Sequence, residues 1–160
     1  MPADPAQDGP EDPPDGVAPS KADFVLVLKG PRRLLLLRGD RVLRDYDVSL
    51  GKEPAGPKHR AGDGRTPEGR YVLDWRTEES RYHRAIHVSY PNARDVEFAR
   101  RAGIATGDGV MIHGLPTKAA WVGDDQSELD WTNGCIAVTN DEMDEIWDLV
   151  DDGTPIEIRP

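Results

Sequence analysis

Trp131-Thr132-Asn133-Gly134-Cys135-Ile136-Ala137-Val138 holds the only cysteine of a 160-residue chain, and that cysteine follows a glycine. Asn-Gly is turn chemistry, because both residues accept positive φ. Ile136-Ala137-Val138 is a short apolar run and reads as a strand. Thr139-Asn140-Asp141-Glu142 comes next, with Thr and Glu three apart, a capping box that opens a helix. Met143, Ile146, Trp147 and Val150 then recur at helical spacing as one apolar stripe, and Asp152-Gly153 ends the helix. Turn, strand and helix follow one another here, and the thiol sits where the turn enters the strand.

A thiol that does chemistry needs a base. Upstream, Val110-Met111-Ile112-His113 reads as a buried strand that ends on a histidine and then Gly114. A lone cysteine is usually a small hydrophobe, and a lone histidine is usually structural. Here both fall at strand ends, each beside a glycine that leaves the backbone open. They can meet in one cleft, where a thiolate–imidazolium pair would attack a carbonyl and turn amides would hold the oxyanion.

The remaining chain reads as scaffold. Residues 1–21 are rich in Pro, Asp, Gly and Ala and lack large apolar side chains, so they read as a disordered acidic tail or linker. Residues 22–160 form the single folded domain. Phe24–Leu28, Arg33–Arg38 and Arg41–Leu50 read as strands, the last two joined by a Gly39-Asp40 turn. Val42, Tyr46 and Val48 fall on one face of the third strand. Residues 51–69 form a long loop of Gly, Pro and charge, of the length that compact domains often use for function. Tyr71–Trp75 and Ala85–Ser89 read as strands. Asn92 to Arg101 reads as a helix closed by Gly103, with Val96, Phe98 and Ala99 inward. Leu115 to Asp130 is a loop that could cover a cleft, and Thr154 to Ile158 is a closing strand. Strands dominate, so the expected fold is mainly β, a sandwich or barrel with two short α-helices.

Composition excludes several classes. A net charge of −10 argues against a nucleic-acid partner. A single cysteine excludes an internal disulfide. No apolar run approaches the ~20 residues of a spanning helix, and no signal peptide is visible, so a membrane role is expected only through a removed signal or anchor. No metal or cofactor is expected. His83 and His87 lie four apart, but β-branched neighbours argue against a helix, and no ligand set completes a zinc site.

Ile112-His113-Gly114 and Thr132-Asn133-Gly134-Cys135 together resemble the L,D-transpeptidase catalytic-domain (YkuD-like) family, whose hallmark is His-Gly followed by Ser/Thr-x-Gly-Cys. Gly62-Asp63-Gly64-Arg65-Thr66-Pro67-Glu68-Gly69 looks like the family's Gly-Asp-x-x-Thr-Pro-x-Gly segment. The run Trp131 to Met143 is similar to the branch that includes the YafK-type murein proteins. Many members carry His before Gly-Cys and Arg two residues after Cys, where this chain has Asn133 and Ala137.

The resemblance implies a β-rich fold and a cysteine acyl-enzyme formed on peptidoglycan stem peptides. It assigns Cys135 as nucleophile, His113 as base, and the carbonyl of Gly114 as the group that orients the imidazole. Asn133 and Gly134 would line the oxyanion site. Apart from the resemblance, Tyr90 and Trp131 flank the expected cleft and could hold carboxylate or sugar groups of a substrate. The resemblance also implies a periplasmic or cell-envelope location, with a wall-linked lipoprotein as a further partner. Some members of the branch cleave bonds rather than form them. The competing expectation is a non-catalytic peptidoglycan-binding module on the same fold.

Overall fold

The computed structural model of the chain describes residues 20–116 and 130–160. The expected tail falls outside these residues apart from Ser20 and Lys21, and so does most of the expected cleft-covering loop. Eight strands form one sheet: β1 (Phe24–Leu28), β2 (Arg33–Arg38), β3 (Arg41–Asp47), β4 (Gly69–Ser80), β5 (His83–Val88), β6 (Met111–His113), β7 (Ile136–Ala137) and β8 (Thr154–Arg159). Their order is β3-β2-β1-β8-β4-β5-β6-β7. The pairs β1/β8 and β6/β7 are parallel and the others antiparallel.

Period-two alternation explains the inner face. Val25 and Val27 of β1, Leu34 and Leu36 of β2, Tyr71 and Leu73 of β4, and Ile156 and Ile158 of β8 are all buried in one core. The expected face of β3 is half right. Tyr46 and Val48 are buried, but Val42 is exposed. Leu36 pairs with Arg44 and Leu37 with Val42, so Leu43 is an extra residue in the ladder. That bulge reverses which side Val42 faces.

The two edge strands of the sheet, β3 and β7, are brought together by the chain that follows β3. Ser49 and Ala137 exchange backbone hydrogen bonds of 2.9 and 3.0 Å. Thr132 N–H donates to Leu50 O, and Lys52 N–H to Thr132 O. The sheet therefore curls toward a barrel, and the segment containing Cys135 lies along the seam.

Among the described residues two helices accompany the sheet, α1 (Ala93–Ala102) and α2 (Asn140–Leu149). Asn92 caps α1 through a capping box with Asp95, and Gly103 ends it in the left-handed region. Thr139 caps α2 through its box with Glu142, and Met143, Ile146 and Leu149 face the core. The expected inner face of α1 is not buried as a whole. Ala99 is covered, whereas Val96 and Phe98 remain about half exposed, because α1 lies on the outside of the sheet.

Candidate active site

The cysteine loop is shaped from within by one hydroxyl. Thr132 Oγ1 accepts from Gly134 N–H at 3.1 Å and donates to Cys135 O at 2.7 Å. Gly134 has φ +131°, and a Cβ there would stand 2.6 Å from Arg65 O. Only glycine meets both demands. The loop is held on each side by the 49–52 segment through the bonds described above. Cys135 opens into a cleft of about 440 Å³ whose wall includes Lys58, Gly62, Asp108, Asn133 and Gly134. Its thiol donates to Gly109 O, 3.5 Å away.

The expected base, His113, stands at the end of β6. β6 and β7 are parallel with His113 opposite Ala137 and Ile112 opposite Ile136, so the histidine ends one strand and the cysteine immediately precedes its neighbour. His113 is 3% exposed. Its Nδ1 lies 2.6 Å from Gly114 O. A carbonyl can only accept, so Nδ1 carries the proton and Nε2 keeps its lone pair. Tyr82 stacks on the ring at 4.3 Å and Trp131 meets it edge-on at 5.7 Å. Gly114 is as constrained as Gly134. A Cβ there would stand 2.5 Å from Asn140 Oδ1 and 3.0 Å from Tyr82 O. Asn140 Oδ1, at the start of α2, accepts from Leu115 N–H at 2.8 Å and so holds the chain just beyond the histidine.

Burial shifts both candidate groups. It pushes the His113 imidazole down to about 4, against a weaker opposing pull from the Gly114 carbonyl. It pushes the Cys135 thiol up, although the Met111 backbone and the Lys58 charge work the other way. Desolvation penalises both ions, so burial favours the neutral thiol and the neutral imidazole over the expected thiolate–imidazolium pair.

The family model of the L,D-transpeptidase catalytic domain (YkuD) matches residues 22–158. The chain belongs to this family. It is 34% identical over 112 residues to the L,D-transpeptidase-family protein YafK of Escherichia coli (strain K12), a match covering 69% of this chain and 38% of YafK. The chain thus spans well under half the length of that relative. Among solved structures it is similar to the helical cell shape determining protein Pgp2 of Campylobacter jejuni, at 26% identity and TM-score 0.61 over 87% of this chain and 48% of Pgp2. It is also similar to Bd1075 of Bdellovibrio bacteriovorus, at 26% identity and TM-score 0.58 over 86% and 48% of the two chains.

Within this L,D-transpeptidase domain, Asn133 is exposed on the cleft wall, and Gly134 lines it with its own N–H engaged by Thr132. Trp131 packs against the His113 ring. Tyr90 does not reach the cleft. It is 1% exposed, tilts against Tyr71 and donates to Thr106 O, so it is a core residue. His83 pairs with Asp144 and His87 with Asp74, two separate carboxylates. Sequence reasoning missed Lys58, Tyr82 and Asn140. Lys58 sits in an irregular loop and Tyr82 in a turn, neither with periodicity. Asn140 was visible only as part of a helix cap.

Proposed function

We propose that this L,D-transpeptidase-family domain performs cysteine-dependent acyl transfer on peptidoglycan stem peptides. Family membership supports a peptidoglycan-modifying activity. The observation that carries the chemistry is the buried His113, its Nδ1–H committed to Gly114 O, on the strand next to the one that presents Cys135 to the cleft. That arrangement leaves Nε2 as a base of fixed tautomer, with a backbone carbonyl in the place of a triad carboxylate.

The Cys135 proton passes to His113 Nε2 as the sulfur bonds to the carbonyl carbon of a diaminopimelate residue. The tetrahedral oxyanion is met by the Cys135 N–H and the Asn133 side chain, since Gly134 N–H is already bonded. The carbon–nitrogen bond breaks, and the imidazolium returns its proton to the leaving amine. Water or a second amine then attacks the thioester, giving its proton to His113, and the thiol is restored. The same steps on an amide that ties a lipoprotein to the wall would release that protein. Such substrates place the activity in the cell envelope.

The test is digestion of purified peptidoglycan with products identified by mass. The wild-type chain should release or join stem peptides, and Cys135→Ala should not. Identical products from both would overturn the proposal. Heavy-oxygen water distinguishes the acceptor, because a hydrolysed product carries the label and a transferred one does not.

A further inference from the structure

Two buried lysines hold the 51–69 loop, and they differ in one respect. Lys29 is 2% exposed, and its ammonium donates to Gly56 O, Thr66 O and Glu68 Oε2 at 2.7–3.0 Å. All three of its donors close on protein. Lys58 is 5% exposed and donates to Arg60 O at 3.1 Å and Asp63 Oδ1 at 2.8 Å. Its third N–H has no partner among the described residues, and the side chain forms part of the Cys135 cleft wall. A Cβ on Gly134 would stand 3.7 Å from Nζ, so the ammonium lies against the residue that precedes the nucleophile.

Asp63 does not cancel this charge by itself. Burial pushes its carboxyl up, but the Lys58 ammonium and the N–H groups of His59, Arg60 and Arg65 outweigh that and hold it at about 2. Its negative charge is divided among four donors. The Gly62-Asp63-Gly64-Arg65 turn thus acts as a clamp that fixes Lys58. Asp108, the carboxylate of the cleft wall, is exposed and screened by water, whereas Lys58 is not.

We propose that Lys58 forms an anion subsite beside Cys135, which takes a substrate carboxylate close to the scissile bond. The assignment of a stem peptide as the source of that carboxylate rests on the function proposed above. The subsite itself does not. Its field also reaches the sulfur, where it opposes the effect of burial on the thiol. A carboxylate seated here meets a charge-assisted donor in a partly desolvated wall, the setting in which such bonds are strongest.

The test needs no peptidoglycan, because Cys135 is the sole cysteine and every adduct is assigned by mass. Alkylation rates are measured with iodoacetamide, which is neutral, and iodoacetate, which is an anion, on wild type, Lys58→Gln and Lys58→Arg. A subsite raises the iodoacetate-to-iodoacetamide ratio above that of a free small thiol. Lys58→Gln should lower it by about fivefold or more, and Lys58→Arg should keep it. Raising salt from about 0.02 to about 0.5 M should collapse the ratio in the wild type, a check that survives a misfolded variant. Equal falls in both rates, which would mean that Lys58 acts only on the sulfur, overturn the subsite. So does a salt-independent ratio. A preserved ratio effect in a chain that leaves peptidoglycan untouched would keep the subsite and sink the substrate.

Discussion

Replacing Thr132 by valine removes one hydroxyl and almost no volume, and its cost can be worked from the contacts. The residue is 4% exposed, and its Oγ1 both accepts from Gly134 N–H and donates to Cys135 O. Valine leaves that donor and that acceptor without partners inside the loop. An orphaned buried polar group costs about 1–3 kcal/mol. Gly134 is buried and Cys135 is partly open to the cleft, where water can reach its carbonyl, so the lower half of the range applies to the second group. The sum is about 2–5 kcal/mol. For a chain of this size that lowers Tm by roughly 5–20 °C. Thr132→Ser retains the hydroxyl and should lose about 1 kcal/mol, chiefly from the missing methyl. The measurement is urea unfolding of wild type and both variants, with unchanged slope as the condition for comparison. The valine variant should also alkylate with altered kinetics, because Gly134 and Cys135 lose the bonds that set their path. A valine variant within about 0.5 kcal/mol of wild type would refute the claim that this hydroxyl shapes the nucleophile loop.

The His113 pKa is depressed when folded, so the unfolded chain binds more protons between about 4 and about 6.5. Stability should be full above pH ~6.5 and fall by on the order of 3 kcal/mol as pH drops through that window, and His113→Gln should flatten this part of the profile. Iodoacetamide should reach half-maximal rate with Cys135 above the pH of ~8.5 that marks a free thiol; a midpoint well below that would show an ion pair at rest. Gly114→Ala meets Asn140 Oδ1 and the Tyr82 carbonyl, and should cost about 1–3 kcal/mol and most of the turnover of muropeptides, read by unfolding and by product analysis. Asn140→Ala frees Leu115 N–H and should cost about 1–2 kcal/mol, while Asn140→Asp, which keeps the acceptor, should cost less.

Local chemistry made the two helices legible. The Thr139–Glu142 box, the stripe behind it and Gly103 act within one or two turns of chain, and each is where the spacing places it. The cysteine and histidine were legible for a similar reason, since each is framed by a glycine that crowded backbone requires. What stayed hidden depends on contacts between distant segments. Tyr90 has the polar tip of a substrate contact, and only the packing of Tyr71 and Thr106 around it makes it core. The apolar residues of α1 promise burial, but an outer position leaves Phe98 to stack on His59 instead. Lys58 is one lysine in a loop of charges until Gly134 arrives from the far end of the chain.

The position two residues after the nucleophile sharpens this last point. Ala137 is fully buried, and its backbone is bonded to Ser49 on one side of the seam. A long cationic side chain has no open room there, and the cation of the cleft lining is Lys58, on the loop clamped by Asp63. Burial holds the thiol up and the imidazole down at about 4, so moving a proton from one to the other before any carbon is attacked is uphill. On the function proposed above, proton transfer runs together with carbon–sulfur bond formation, so that negative charge appears on the carbonyl oxygen instead of resting on sulfur. A buried ammonium beside Gly134 is worth little to a neutral thiol and much to a substrate carboxylate seated on it, so on the readings proposed above the chemistry is conditional on a substrate that brings both its carbonyl to Cys135 and its carboxylate to Lys58.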